Sequence, residues 1–70
     1  MEIKYNVIQI NCGDVGWEKL GLSRRLAIVT ARQWAADGTG QVYICWRRLG
    51  DGTTGYLNRD GNHDFNGRAW

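Results

Sequence analysis

The sequence predicts an α+β domain in which one helix packs on a three- to four-stranded antiparallel sheet, in the order β-α-β-β-(β). Two observations carry this. Period-2 apolar alternation occupies both ends of the chain, and a single capped stretch of helical periodicity lies between them. The 70 residues, read as one domain spanning 1–70, sit near the lower size limit for folding without a staple.

The first strand is predicted over residues 2–11. Ile3, Tyr5 and Val7 alternate with polar neighbours, and then Ile8 and Ile10 take up the opposite phase. Either a bulge near Val7-Ile8 swaps the faces, or the strand is central and apolar on both sides. Residues 12–22, with Gly13, Gly16 and Gly21, read as a glycine-punctuated connection in which Val15, Trp17 and Leu20 tuck against the core edge.

Ser23 is suited to cap a helix over Arg24 to Ala36, because its hydroxyl accepts from a free amide one turn in. Leu22, Leu26, Val29 and Ala36 share a stripe on that helix, and Ala27, Thr30 and Trp34 flank it. Arg24, Arg25 and Arg32 fall on the other side, an ordinary solvated face. Asp37-Gly38-Thr39-Gly40 closes the helix, with Gly38 in the left-handed position.

Gln41 to Leu49 is the clearest strand, with Val42, Ile44 and Trp46 assigned to the core and Tyr43, Cys45 and Arg47 to the other face. Gly50-Asp51-Gly52 turns the chain into a strand from Thr54 to Arg59, and Asp60-Gly61 signals a hairpin. The last stretch, Asn62 to Trp70, returns as a ragged strand through His63 and Phe65.

Composition bounds the chemistry. A pocket of about 300–1,000 Å³ would consume much of so small a core. Nothing in the opening residues has the apolar length of a signal peptide, and no apolar run is long enough for a membrane span. A cytoplasmic chain with Cys12 and Cys45 reduced is expected. The oxygen-rich segment Asn58–Asn66 invites a calcium loop, but with Gly61 as the invariant glycine the final carboxylate position falls on Gly67. Turn chemistry accounts for it better, and no metal is expected. Gly13-x-x-Gly16 lacks the lysine and hydroxyl of a phosphate loop, so no nucleotide or other cofactor is expected.

His63 is the only histidine and Ser23 the only serine. Asp60 and Asp64 flank His63, but on a hairpin Asp64 points away from it. Neither cysteine has local support for a thiol dyad. No catalytic residue is assigned, and the expectation is a protein that binds rather than turns over.

Seven of nine basic residues are arginine, beside four tryptophans and three tyrosines, the residue types that dominate binding hot spots. The partner-binding set is Tyr43, Arg47, Arg48, Tyr56, Asn58 and Arg59. On neighbouring strands these would present an aromatic and basic face to solvent, able to meet a protein or to stack bases. The formal charge of +2 favours protein, with direct nucleic-acid contact open.

The opening Glu2-Ile-Lys-Tyr-Asn-Val-Ile-Gln, the helix start Leu22-Ser23, the segment Gln41-Val-Tyr-Ile-Cys-Trp-Arg-Arg, the closing Tyr56-Leu-Asn-Arg-Asp-Gly and Trp70 make up a whole-chain pattern. It resembles small phage and mobile-element proteins of the anti-CRISPR type, which lay a strand-helix-meander domain on a type I surveillance complex. The resemblance rests on element order and turn residues, with no motif to carry over residue by residue. It implies a phage-type host-defence inhibitor, in the host cytoplasm, that binds a protein or protein–RNA effector stoichiometrically and blocks guide or target engagement. The alternative is a small nucleic-acid-binding accessory protein of a phage or mobile element. The oligomeric state is not specified by any of these residues.

Overall fold

The computed structural model describes residues 2–38 and 40–70. Thr39, within the predicted helix-closing segment, and Met1 lie outside them. The elements run β1 (Ile3–Asn11), β2 (Asp14–Leu22), α1 (Arg24–Asp37), β3 (Gln41–Arg48), β4 (Thr54–Leu57) and β5 (His63–Asp64). The strands form one antiparallel sheet in the order β2-β1-β3-β4-β5, and α1 packs across β1 and β3. The α+β class holds, with one strand more than the sequence suggested.

The extra strand is β2. Residues 12–22 were expected to be a connection, but only Cys12 and Gly13 turn, at φ 54° and 86°. Positive φ at both centres of a two-residue loop is the hairpin geometry whose twist matches the flanking strands. The remaining glycines sit at irregularities of a real strand: the β1–β2 register shifts twice, once where Gly16 is extra and once beside Gly21. The bulges therefore belong to β2. Strand β1 pairs with β3 without a break from Ile3↔Arg48 to Ile10↔Gln41. Of the two readings of β1, the structure takes the central strand that is apolar on both faces.

Cys12 is a cysteine where the backbone favours asparagine or glycine, since a Cβ in the left-handed region costs about 1–2 kcal/mol. Cys12→Asn, which creates an Asn-Gly turn, is expected to stabilise the fold by about 0.5–1 kcal/mol, or about 2–8 °C in melting temperature. A thermal melt of the two proteins checks it, and an unchanged or lower midpoint would count against the turn geometry.

The helix boundaries follow local chemistry. Ser23 accepts from the Leu26 amide at 3.2 Å, and Gly38 closes the helix at φ 70° with its amide donating to the Ala35 carbonyl. The buried face, however, is not the predicted stripe. Ala27, Thr30 and Ala31 are buried, with Ile28, Trp34 and Ala35 packed at the margin, whereas Leu26 and Val29 remain 49% and 44% exposed. Small side chains let the helix lie close on Val7, Val42, Ile44 and Leu57, all fully buried. Tyr5 and Trp46 extend this core toward β5. Val15, Trp17 and Leu20 are more than half exposed rather than tucked in, although Trp17 meets Trp34 of the helix edge-on at 5.7 Å between ring centroids.

Candidate interaction surface

The helix covers one sheet face only. Strand alternation places Ile8 and Ile10 of β1, Tyr43, Cys45 and Arg47 of β3, and Tyr56 of β4 on the other. Ile8, Ile10, Tyr43 and Tyr56 line a shallow hollow of about 290 Å³, closed at one side by Gly67. All four are half-buried, Tyr56 partly under the Gly67 backbone, and Val15 of β2 adds an apolar side chain that is 56% exposed. Tyr43 and Tyr56 meet edge-to-face, with centroids 6.2 Å apart, a preferred aromatic geometry. Burial raises the Cys45 thiol above its ordinary pKa, so it behaves here as a small apolar group.

One end of this face is basic. Lys4 and Arg47 are directly opposed across β1 and β3, an arrangement that repels. Glu2, 3.3 Å from Lys4, relieves it in part. Arg47 itself is exposed and forms no ion pair among the described residues.

The structure gathers Tyr43, Arg47 and Tyr56 of the sequence-predicted set and disperses the other three. Arg48 follows Arg47 and so points to the helix side, where it pairs with Asp51 at 3.2 Å and lies 5.8 Å from the Trp46 ring centroid. Asn58 was expected to face solvent, but it is 1% exposed. Strand β4 ends at Leu57, and Asn58 turns inward to hold the C-terminal segment. Its amide donates to the Asp64 carboxylate at 3.4 Å and the Asn66 carbonyl at 3.3 Å, and its oxygen accepts from the Arg68 amide at 3.1 Å. Arg59 is exposed but lines a different groove, beside α1. Ile8 and Ile10 join this face although the sequence alone leaves them open to either a bulge or a second core side. Their phase opposite Tyr5 and Val7 was the available signal.

His63 lies on the helix-side face, and Asp64, the next residue, on the other, as hairpin geometry predicts. The His63 Nε2 is 2.9 Å from the Tyr5 hydroxyl, and its ring stacks on Trp46 at 5.0 Å and 23°. Burial, and then the positive charges of Arg24 and Arg48, hold its pKa below the usual histidine value. Burial likewise raises the Tyr5 phenol. The Asp64 carboxylate is directed at Asn58 and the Asn66 amide instead of the imidazole. Among the described residues no group of three histidine, cysteine or carboxylate side chains is placed to hold a metal ion, and no helix is long and apolar enough to cross a membrane. Comparison with protein-family models, with curated proteins and with solved structures finds no match to this chain.

Proposed function

We propose that this chain acts as a stoichiometric binding protein whose uncovered sheet face docks on a protein surface. The observation that carries the reading is the face itself: an apolar centre of Ile8, Ile10, Tyr43 and Tyr56, bordered by the opposed cations Lys4 and Arg47. An apolar patch with a charged margin is the anatomy of a specific interface. A partner carboxylate would also relieve the repulsion between the two cations. A standard interface takes about 800 Å² from each partner, roughly a sixth of the 4596 Å² this chain exposes.

Nucleic acid is the weaker occupant of this face. Base stacking needs a free ring surface. Here the tyrosines contact each other, and the Gly67 backbone lies against the Tyr56 ring, so close that a Cβ there would sit 2.7 Å from it.

The resemblance to anti-CRISPR proteins supplies a partner class, a type I CRISPR effector, on which occupation by this face would block guide or target engagement. The test is gel filtration of the chain with purified effector, using wild type and Lys4→Glu/Arg47→Glu. Co-elution at fixed stoichiometry is expected, with affinity lowered at least tenfold in the variant while circular dichroism shows it still folded. Undiminished affinity in the variant would remove the sheet face. Absence of any complex would remove the host-defence assignment.

A further inference from the structure

A second surface, on the helix side of the molecule, has a different chemistry. Arg32, Ala35 and Ala36 of α1 form one wall of a groove of about 500 Å³, and Arg59 and Trp70 form the other. Arg59 also borders an adjoining hollow of about 240 Å³ with Asp60, Arg68 and Ala69. Three guanidinium groups thus follow one another along two joined depressions. Among the described residues lining them the only side-chain carboxylate is Asp60, already engaged by Arg68 at 3.4 Å. Among the described residues Arg32 and Arg59 have no ion pair or side-chain hydrogen bond of their own. Arg25, seven residues before Arg32, shares its helical face. The Arg24 guanidinium donates to the Gly61 carbonyl at 2.9 Å, tying this flank of the helix to the loop that bears Arg59. Five of the nine basic residues therefore lie on this side of a chain whose formal charge is only +2.

Trp70 is fixed in place. Its indole N–H donates to the Leu57 carbonyl at 2.9 Å and its backbone amide to the Val42 carbonyl at 2.8 Å. A half-buried aromatic ring fixed by these two bonds, in a groove that Arg32 and Arg59 also line, loses little freedom on binding.

We propose that this groove binds a single-stranded nucleic acid, with Arg32, Arg59 and Arg68 on successive phosphates and Trp70 against a base. Serial guanidinium groups match a chain of evenly repeated negative charges, and guanidinium forks suit phosphate oxygens. Basic grooves with interleaved aromatic rings hold single strands in this way. An acidic peptide offers the charges without planar rings for the indole. The surface is separate from the sheet face, so either can fail alone.

Fluorescence anisotropy with a labelled 15-nucleotide oligo-U and oligo-dT tests it on the full chain. Three neutralised phosphates give a slope of about −2 in log affinity against log salt, so affinity falls about 20-fold from 50 to 200 mM salt. Arg32→Glu/Arg59→Glu should lower affinity at 50 mM salt at least 30-fold with no change in melting temperature, because both side chains are exposed and unpaired. Lys4→Glu/Arg47→Glu should leave it intact. Absence of wild-type binding at 50 mM salt, full binding by the Arg32/Arg59 variant, or equal competition by poly-glutamate of matched charge would overturn the assignment.

Discussion

Asn58→Ala is expected to destabilise the protein by about 3 kcal/mol, because each buried polar group left without its partner costs about 1–3 kcal/mol. Three bonds converge on this one side chain, from the Asp64 carboxylate, the Asn66 carbonyl and the Arg68 amide, at a position 1% exposed. Together they fold residues 64–68 back over the end of β4. A chain of 70 residues has a total stability of about 3.5–10 kcal/mol, so the variant should melt at least 12 °C lower at about 4–8 °C per kcal/mol. The effect also has a location. Amide exchange at Arg68 should become fast in Asn58→Ala, while core amides such as Val7 should speed up only in proportion to the loss of global stability. A loss under 1 kcal/mol, or continued protection of Arg68, would show that the segment is held by other contacts.

What the sequence disclosed about this fold depended on the range of the interaction. Ser23 and Gly38 were legible because caps act within one turn, and Val42, Ile44 and Trp46 because strict alternation leaves one choice of face. The buried side of α1 was not legible. Leu26 and Val29 are the greasier residues, yet the helix turns Ala27 and Ala31 inward, since close approach to a flat sheet selects for size as well as hydrophobicity. Strand β2 was obscured by its glycines, which read as loop but serve a two-residue turn and two register shifts.

The candidate surface shows the same division. Tyr43, Arg47 and Tyr56 could be placed together from alternation alone. Arg48 could not join them, since its neighbour had already taken that face. Asn58 and Arg59 were misplaced because the strand pattern was continued two residues past its end at Leu57, where the chain turns inward to bond its own C-terminal segment. The turn itself is signalled locally by Asp60-Gly61, but the inward bonding of Asn58 depends on residues six to ten positions further along the chain.

Gly55→Ala should be nearly as damaging, at about 2–3 kcal/mol, within the range for overpacking a filled core. Gly55 is directly opposite Trp46 in the β3–β4 register, and the indole lies where a side chain at 55 would be. A Cβ there would stand 2.6 Å from Trp46 Cζ2, 2.7 Å from Cε2 and 2.8 Å from the Asp64 carbonyl oxygen. The ring cannot swing aside freely. Its N–H is bonded to the Tyr56 carbonyl at 3.0 Å, and its faces meet His63 and Phe65. The carbonyl belongs to β5, which is paired with β4 through Tyr56↔Asp64. A methyl group at this point must therefore displace the tryptophan, the last strand, or both. A double-mutant cycle with Trp46→Leu separates the two. If the ring is the main obstacle, Gly55→Ala should cost less than half as much in the Trp46→Leu background. An undiminished cost there would place the obstruction in β5. A loss below 0.5 kcal/mol in the otherwise wild-type chain would mean that the indole does not occupy this space, and with it would go the stacked Trp46–His63 arrangement that joins β5 to the core.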